Sequence, residues 1–327
     1  MRSRRATSSR PTDRDADGAC PVTTPTKSVR FRVIHRTRYA YALPVDYCHN
    51  EAHLRPRTTP LQRCLASRLT IDPPPAVMHD RVDYFGNPVS YFAAHLPERE
   101  LTVTSTSEVE VATLDLADGQ VPASPPWEEV RELLGPGERN VPLEAREMRL
   151  GSPMVPVSAA LADFARPSFA PGRPLLDAVA DLSHRIHRDF TYDQEFSTVA
   201  TPIGDVLERR RGVCQDFAHV AIGCVRSLGL PARYVSGYIE TVRDPGQPRL
   251  VGADASHAWF ATWAPGTGWF DFDPTNDQIP PRQHITTAWG RDYADVTPLK
   301  GVLFGGGEHT LEVAVDVARL EVSMTPI

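Results

Sequence analysis

Residues 214–228, CQDFAHVAIGCVRSL, place apolar side chains at Phe217, Ala218, Val220, Ala221, Ile222, Cys224, Val225 and Leu228. At 3.6 residues per turn these positions cover most of a helix's circumference. Such a helix is stable only inside a protein, so the fold must be built around it. Gly229 supplies the residue type that closes a helix in the left-handed region, and Pro231 forbids continuation. The first residue of the pattern is Cys214, directly after Gly212-Val213. A thiol there is either a small buried hydrophobe or a nucleophile whose thiolate is favoured by unpaired N–H groups and the helix dipole.

The flanking segments set the class. Upstream, SAALADFARP and PLLDAVADLSHRIHRDF read as helices. Downstream, ARYVSGYIE reads as a strand, DPGQP (244–248) as a turn, and HAWFATWAP and GWFDFDP as two strands joined at Pro265-Gly266-Thr267. Helices followed by antiparallel strands make an α+β domain, expected over 157–327. Residues 28–115 follow a different period. SVRFRVIHRTRYAYA and LTVTSTSEVEVATL alternate in twos, and Gly86-Asn87-Pro88 separates two aromatic-rich runs as in a hairpin. This predicts an N-terminal antiparallel β-sandwich. The Pro/Gly-rich stretch 116–156, with a short helix EEVRELL, reads as a linker, and residues 1–27 read as a disordered tail.

Composition removes several functions. A net charge of −6 argues against a general nucleic-acid binder. No apolar run approaches the roughly 18 residues of a membrane helix, and the N-terminal stretch has no apolar region of the kind an export signal needs. Cys20, Cys48, Cys64, Cys214 and Cys224 form an odd set without CxxC spacing. They suit free thiols in a reducing cytoplasm, the expected location.

Cys214, His257 and Asp273 together supply a nucleophile, a base and a group to orient the base, the minimum for covalent acyl transfer. Strand parity tests the idea. Opposed residues of an antiparallel pair have a constant number sum. A three-residue turn centred on Gly266 makes that sum even and puts His257 and Asp273 on one face, whereas a two-residue turn would separate them. Asp271 shares the face, so parity leaves both carboxylates open.

Other motifs read more plainly. His49, Glu51 and His53 in HNEAH fit a polar strand face better than a metal site, because no further ligand has suitable spacing. Zinc on Cys214, His257 and Asp273 is disfavoured for the same reason, and no metal or cofactor is expected. Arg209, Arg210 and Arg211 read as a solvated helix end. His219 lies about 140° around the helix from Cys214, a poor position for a base. Residues 288–298, AWGRDYADVTP, read as a loop that either walls a cleft or is held by an internal Arg–Asp pair. FGGGEHT lacks the helix and GK[ST] of a phosphate loop. Trp259, Trp263 and Trp269 read as core or cleft-wall aromatics.

The segments RRGVCQDFAHV, LGLPARYVSGY and DASHAWFATWAPGTGWFDFDPTN resemble the core of the transglutaminase-like superfamily, whose bacterial members are papain-like cysteine enzymes. HITTAWGRDYADVTPLKGVLFGGGEHTLEVAVDV resembles the tail of the same bacterial subgroup, and 28–115 its N-terminal region. The resemblance implies a papain-like α+β core with Cys214 as nucleophile, His257 as general base and Asp273, rather than Asp271, as the orienting acid. Well-studied transglutaminases have Gln before and Trp after the cysteine. Val213 and Gln215 stand here instead, so the expected reaction is hydrolysis of a peptide or isopeptide amide. Amine-dependent acyl transfer and a catalytically silent interaction module are the alternatives. The backbone N–H of Cys214 is the natural first oxyanion donor, with Tyr192 as a candidate second.

Overall fold

The computed structural model describes residues 27–96, 99–113, 120–138, 141–240, 256–280 and 283–320. The expected tail (all but Lys27) and the 244–248 turn lie outside them.

The β-half begins with β1 (Lys27–Tyr41), β2 (Val45–Ala52), β3 (Gln62–Asp72), β4 (Val77–Val82), β5 (Pro88–Leu96) and β6 (Glu100–Thr113). The helical half carries α1 (Trp127–Leu133), α2 (Leu143–Glu147), α3 (Ala159–Ala165), α4 (Leu175–Asp189), β7 (Thr191–Tyr192), α5 (Ile203–Arg209), β8 (Arg211–Gly212) and α6 (Cys214–Ser227). Then come β9 (Ala232–Ile239), β10 (His257–Ala264), β11 (Gly268–Phe272), β12 (His284–Gly290), α7 (Tyr293–Val296), β13 (Leu299–Gly305) and β14 (His309–Leu320). The fold is α+β, with a papain-like core behind an N-terminal antiparallel β-sandwich.

Helix α6 sits where its sequence requires. Phe217, Val220, Ile222, Cys224 and Val225 are at most 2% exposed. Each large side chain among them contributes roughly 1.5–3 kcal/mol of transfer free energy. They pack on α3, α4 and the sheet β11-β10-β9-β12. Gly229 closes the helix at φ +80°.

Two expectations are corrected. Residues 116–156 are not a mere linker in the part described, because Val130, Leu134, Ala145 and Val155 are buried in the same core as α6. The C-terminal division at 157–327 also breaks down in hydrogen-bonding terms. Strand β13 pairs with β2 and β14 with β1, giving sheets β13-β2-β5-β4 and β14-β1-β6-β3. The alternation of HTLEVAVDV lets β14 cover the outer edge of β1, which would otherwise be unpaired.

The sheet β14-β1-β6-β3 spans both halves. At one end Tyr41, Leu101, Val103 and Ile71 pack against β2 and β5. At the other, Phe31, Val33, Val109, Val111 and Val317 pack against Tyr238 of β9 and Ile285 of β12. Between the two apolar ends His35 is buried, with hydrogen bonds to Thr37 Oγ1 (2.9 Å) and the Tyr238 hydroxyl (3.1 Å). Arg57 reinforces the junction. Its guanidinium lies 3.4 Å from the centre of the Trp289 ring, and Arg233 stacks near that ring at 3.8 Å.

Burial makes the fold acid-sensitive. It lowers the His35 pKa to about 4, and it lowers that of His219 to about 4 against a partly opposing Asp292 charge. Both folded values lie below the unfolded 6.5, so the stability they contribute is complete above pH 6.5 and is lost as pH falls toward 4. Each site carries on the order of 3 kcal/mol across that window. Urea midpoints measured from pH 7 to 4 are expected to fall steeply, and His35→Gln is expected to flatten part of the slope; parallel slopes would refute the assignment to His35.

Candidate active site

Parity holds. Strands β10 and β11 pair Phe260 with Phe272 and Ala264 with Gly268, so the turn centres on Gly266. His257 and Asp273 therefore share a face, and they meet: His257 Nε2 lies 2.9 Å from Asp273 Oδ2. Asp271 shares the face but accepts from Trp259 Nε1 at 3.0 Å instead.

The DPTN turn explains how Asp273 is held. Its Oδ1 accepts the backbone N–H of Thr275 (2.9 Å) and Asn276 (3.2 Å), an Asx-type turn. Its Oδ2 accepts from His257, from Asn276 Nδ2 (2.9 Å) and from His284 Nε2 (2.9 Å). Burial raises the carboxyl's pKa, but the His257 charge and these hydrogen bonds outweigh it, and Asp273 is held well below the usual carboxylate range. For His257 burial acts downward. It is outweighed by the charge and hydrogen bond of Asp273, then by Cys214, and the pKa rises to about 10.

Cys214 reaches this pair from the other wall. The two-residue strands β7 and β8 run parallel and seat Gly212 beside Tyr192. Asp216, the third residue of α6, turns back so that Oδ2 accepts the Val213 N–H (2.8 Å) and the Ser197 hydroxyl (2.5 Å). This is one half of a capping box, since Val213 has no acceptor to return. It also explains Gly212. A Cβ there would lie 2.6 Å from Asp216 Oδ2 and 2.8 Å from its Cβ. The spacing G-V-C-Q-D thus builds a capped helix start with the thiol as its first residue.

The Cys214 thiol lies beside the His257 ring, is 9% exposed, and is one of the groups that raise the imidazole pKa. Asp273 is an ionised acceptor, so His257 Nε2 must carry its proton. With Nε2 committed to Asp273, the buried Nδ1 is the nitrogen that gains or gives up the second proton, and the raised pKa makes it a strong base. A histidine whose far nitrogen is held by a carboxylate and whose near nitrogen is free beside a thiol can act as a base toward that thiol.

The other candidates separate. His49 bonds the Tyr91 hydroxyl, Glu51 pairs with Arg81, and His53 turns inward onto Thr297 O, so HNEAH brings no ligands together. Arg210 packs over Phe164 and Phe190, and Arg211 pairs with Asp193. Residues 288–298 are not all loop. They include the end of β12 and α7, and Arg291 pairs with Asp295, the internal pair that was one of the two readings. Among the described residues, one group of three side chains could bridge a metal: His257, Asp273 and His284, with ligand-type atoms within 4.8 Å of one another. The two Nε2 atoms already donate to the carboxylate in a site at most 2% exposed.

Sequence reasoning passed over His284, Asn276 and the capping role of Asp216. For Asn276 the Asx-turn pattern of DPTN was a usable signal. His284 had none, because nothing local says that β12 lies beside β9.

Known proteins agree with this architecture. Residues 31–110 match the bacterial transglutaminase-like N-terminal region, and residues 162–274 match the transglutaminase-like superfamily. An uncharacterized protein of Mycobacterium tuberculosis is 43% identical over 300 residues, covering 89% of this chain and 93% of its own length. The chain belongs to the transglutaminase-like superfamily. A second full-length relative, from Mycobacterium leprae, is 35% identical over 292 residues, 89% of this chain and 99% of that protein. A protein-glutamine gamma-glutamyltransferase of Pseudomonas aeruginosa is 35% identical over 130 residues, only 39% of this chain and 19% of that protein. The transglutaminase-like fold is also seen in a crystal structure titled a "Putative Cysteine Protease" from Cytophaga hutchinsonii, with a TM-score of 0.71, 20% identity, and coverage of 92% of this chain and 94% of that one. None of the described helices is long and apolar enough to cross a membrane.

Proposed function

We propose that this transglutaminase-like protein is a thiol-dependent hydrolase of amide bonds in peptides or isopeptides, with Cys214, His257 and Asp273 as its reacting group. The observation that carries the reading is the His257 ring held between a buried, ionised Asp273 and the thiol at the start of α6.

His257 Nδ1 takes the Cys214 proton as the sulfur attacks the carbonyl carbon. The carbonyl oxygen becomes an oxyanion held by the Cys214 N–H, a donor whose loss typically costs about 2.7–4 kcal/mol. Tyr192 is the second donor in this reading. Pairing of β7 with β8 puts it beside Gly212, and burial raises the phenol pKa, so its proton is retained. The intermediate collapses as the imidazolium gives its proton to the leaving amine. Water, deprotonated by His257, then attacks the thioester and releases the acid, restoring the thiol. Asp273 keeps Nε2 protonated and supports the imidazolium throughout. Amine transfer replaces that water with a primary amine; the partial likeness to the Pseudomonas aeruginosa glutamyltransferase supports keeping it as the second reading.

Iodoacetamide alkylation, mapped to each cysteine by peptide mass spectrometry over a pH series, tests the proposal. Cys214 is expected to react much faster than the other cysteines at neutral pH and to lose this in His257→Ala. Burial pushes the Cys48 and Cys224 thiols up, so these serve as slow internal controls. A Cys214 that reacts like the controls in the parent protein would leave the silent interaction module as the better reading. Adding a primary amine to a peptide substrate then separates the two reactions, since transfer yields an amine adduct and hydrolysis a free acid.

A further inference from the structure

His284 is a buried polar residue beside the reacting side chains that the mechanism does not use. Its ring is 2% exposed, and Nδ1 has no hydrogen-bond partner. Its one hydrogen bond is the 2.9 Å contact from Nε2 to Asp273 Oδ2, the same oxygen and the same distance as for His257. A buried imidazole is costly to desolvate unless its hydrogen bonds are made, and this one spends its only bond on the acid that orients the base. The ring is fixed. His284 opens β12 opposite Ile239, and it meets the Trp259 ring edge-on with centroids 5.1 Å apart.

We propose that His284 is a positioning residue, whose Nε2–H pins Asp273 Oδ2 and takes up part of its charge, and so sets how strongly Asp273 acts on His257. The proposal rests on the thiol-hydrolase reading. With two backbone N–H groups on Oδ1 and three side-chain donors on Oδ2, the carboxylate cannot rotate away from His257. His284 Nε2–H occupies part of the acceptor capacity of Asp273 Oδ2, the oxygen that also holds His257. Removing that donor concentrates the carboxylate on His257, which makes the imidazolium easier to form.

The titratable surroundings come from every packed element. Cys214 faces His257 from α6, and Tyr192, Tyr234 and Tyr293 face the thiol. Asp271 on β11 faces His284 and is bonded to Trp259. Glu240, just past β9, is held by Arg319, and Arg233 by Glu144.

The test is the pH profile of Cys214 alkylation by iodoacetamide in the parent, His284→Leu, His284→Gln and His257→Ala. The leucine variant lacks the donor; the glutamine amide places an N–H where Nε2 was. The midpoint is expected to fall by roughly 0.5–1 pH unit in His284→Leu, a part of the free energy of one hydrogen bond to a carboxylate expressed as a pKa shift, and to return toward the parent in His284→Gln. A midpoint that stays or rises in the leucine variant, or a glutamine variant that behaves as leucine does, overturns the proposal. If instead His257→Ala matches the parent, the thiol–imidazole pair itself is absent and the underlying reading fails first. Histidine 15N NMR of the parent protein gives an answer even where the leucine variant does not fold. His284 is expected to carry a proton on Nε2, toward Asp273, and an Nδ1–H tautomer at His284 refutes the role.

Discussion

Cys214→Ala is expected to remove hydrolysis of any substrate the parent protein turns over, a loss of roughly 10⁴–10⁶-fold. The fold should survive. Cys214 is the first residue of α6 and the most exposed of that core's buried side chains, at 9%, and removing one sulfur there leaves Phe217, Val220 and Ile222 in place. A thermal midpoint within a few degrees of the parent, together with lost turnover, separates chemistry from stability. Turnover that persists in the alanine variant at more than about a hundredth of the parent rate would mean that another group attacks the amide.

The second large effect is expected at Asp273→Asn, where geometry decides which way the new amide points. The Oδ1 position faces the backbone N–H groups of Thr275 and Asn276, which cannot become acceptors. The amide oxygen must stay there, so the NH₂ takes the Oδ2 position and faces His257 and His284. His257 can relieve the clash of donors only by giving up its Nε2 proton and keeping one on Nδ1, the nitrogen turned away from Asp273. The base is then protonated on the wrong nitrogen. A fall in turnover of about 10⁴-fold is expected from such a tautomer change, with a stability loss of about 3–5 kcal/mol from breaking the buried charge pair. The measurements are turnover and urea unfolding at pH 7. Wild-type turnover would show that Asp273 does not orient the base. Normal stability with lost turnover would show that the pair serves chemistry alone.

Much of this site was legible in the chain because its parts are local. The buried pattern of 214–228 dictated a central helix, Gly229 and Pro231 marked its end, and Pro265-Gly266-Thr267 set the parity that brings His257 and Asp273 to one face. The choice between Asp271 and Asp273 was not in the parity. It depends on Trp259, whose indole N–H takes Asp271, and that is a packing fact. What stayed hidden was long-range. His284 enters only because β12 lies beside β9, and the AWG of 288–290 reads as loop until β9 supplies its hydrogen bonds. A residue that looks inert in sequence can also be indispensable. Gly237 is directly opposite His257, and a Cβ on it would come within 2.0 Å of the Ile285 carbonyl oxygen and 2.6 Å of the Trp259 ring. The bare backbone there lets β12 approach closely enough for His284 to reach Asp273.

The pairing of β14 with β1 has a consequence for how the protein is made. Arg30 pairs with Leu320, so the first described strand finds one of its two neighbours only after almost 300 further residues have been made. Strand β2 waits in the same way for β13. At ribosomal speeds of about 5–20 residues per second, the interval is roughly 15–60 s. During it, the emerging chain carries two β-sheets whose outer strands β1 and β2 are unpaired on one side, the feature most prone to pairing with other chains. The residues around Cys214, His257 and Asp273 leave the ribosome before the strands that close those sheets. A translation product stopped near residue 298 would hold Cys214, His257 and Asp273 on an unfinished support, so late ribosomal stalling is more hazardous for this protein than its compact helical core suggests.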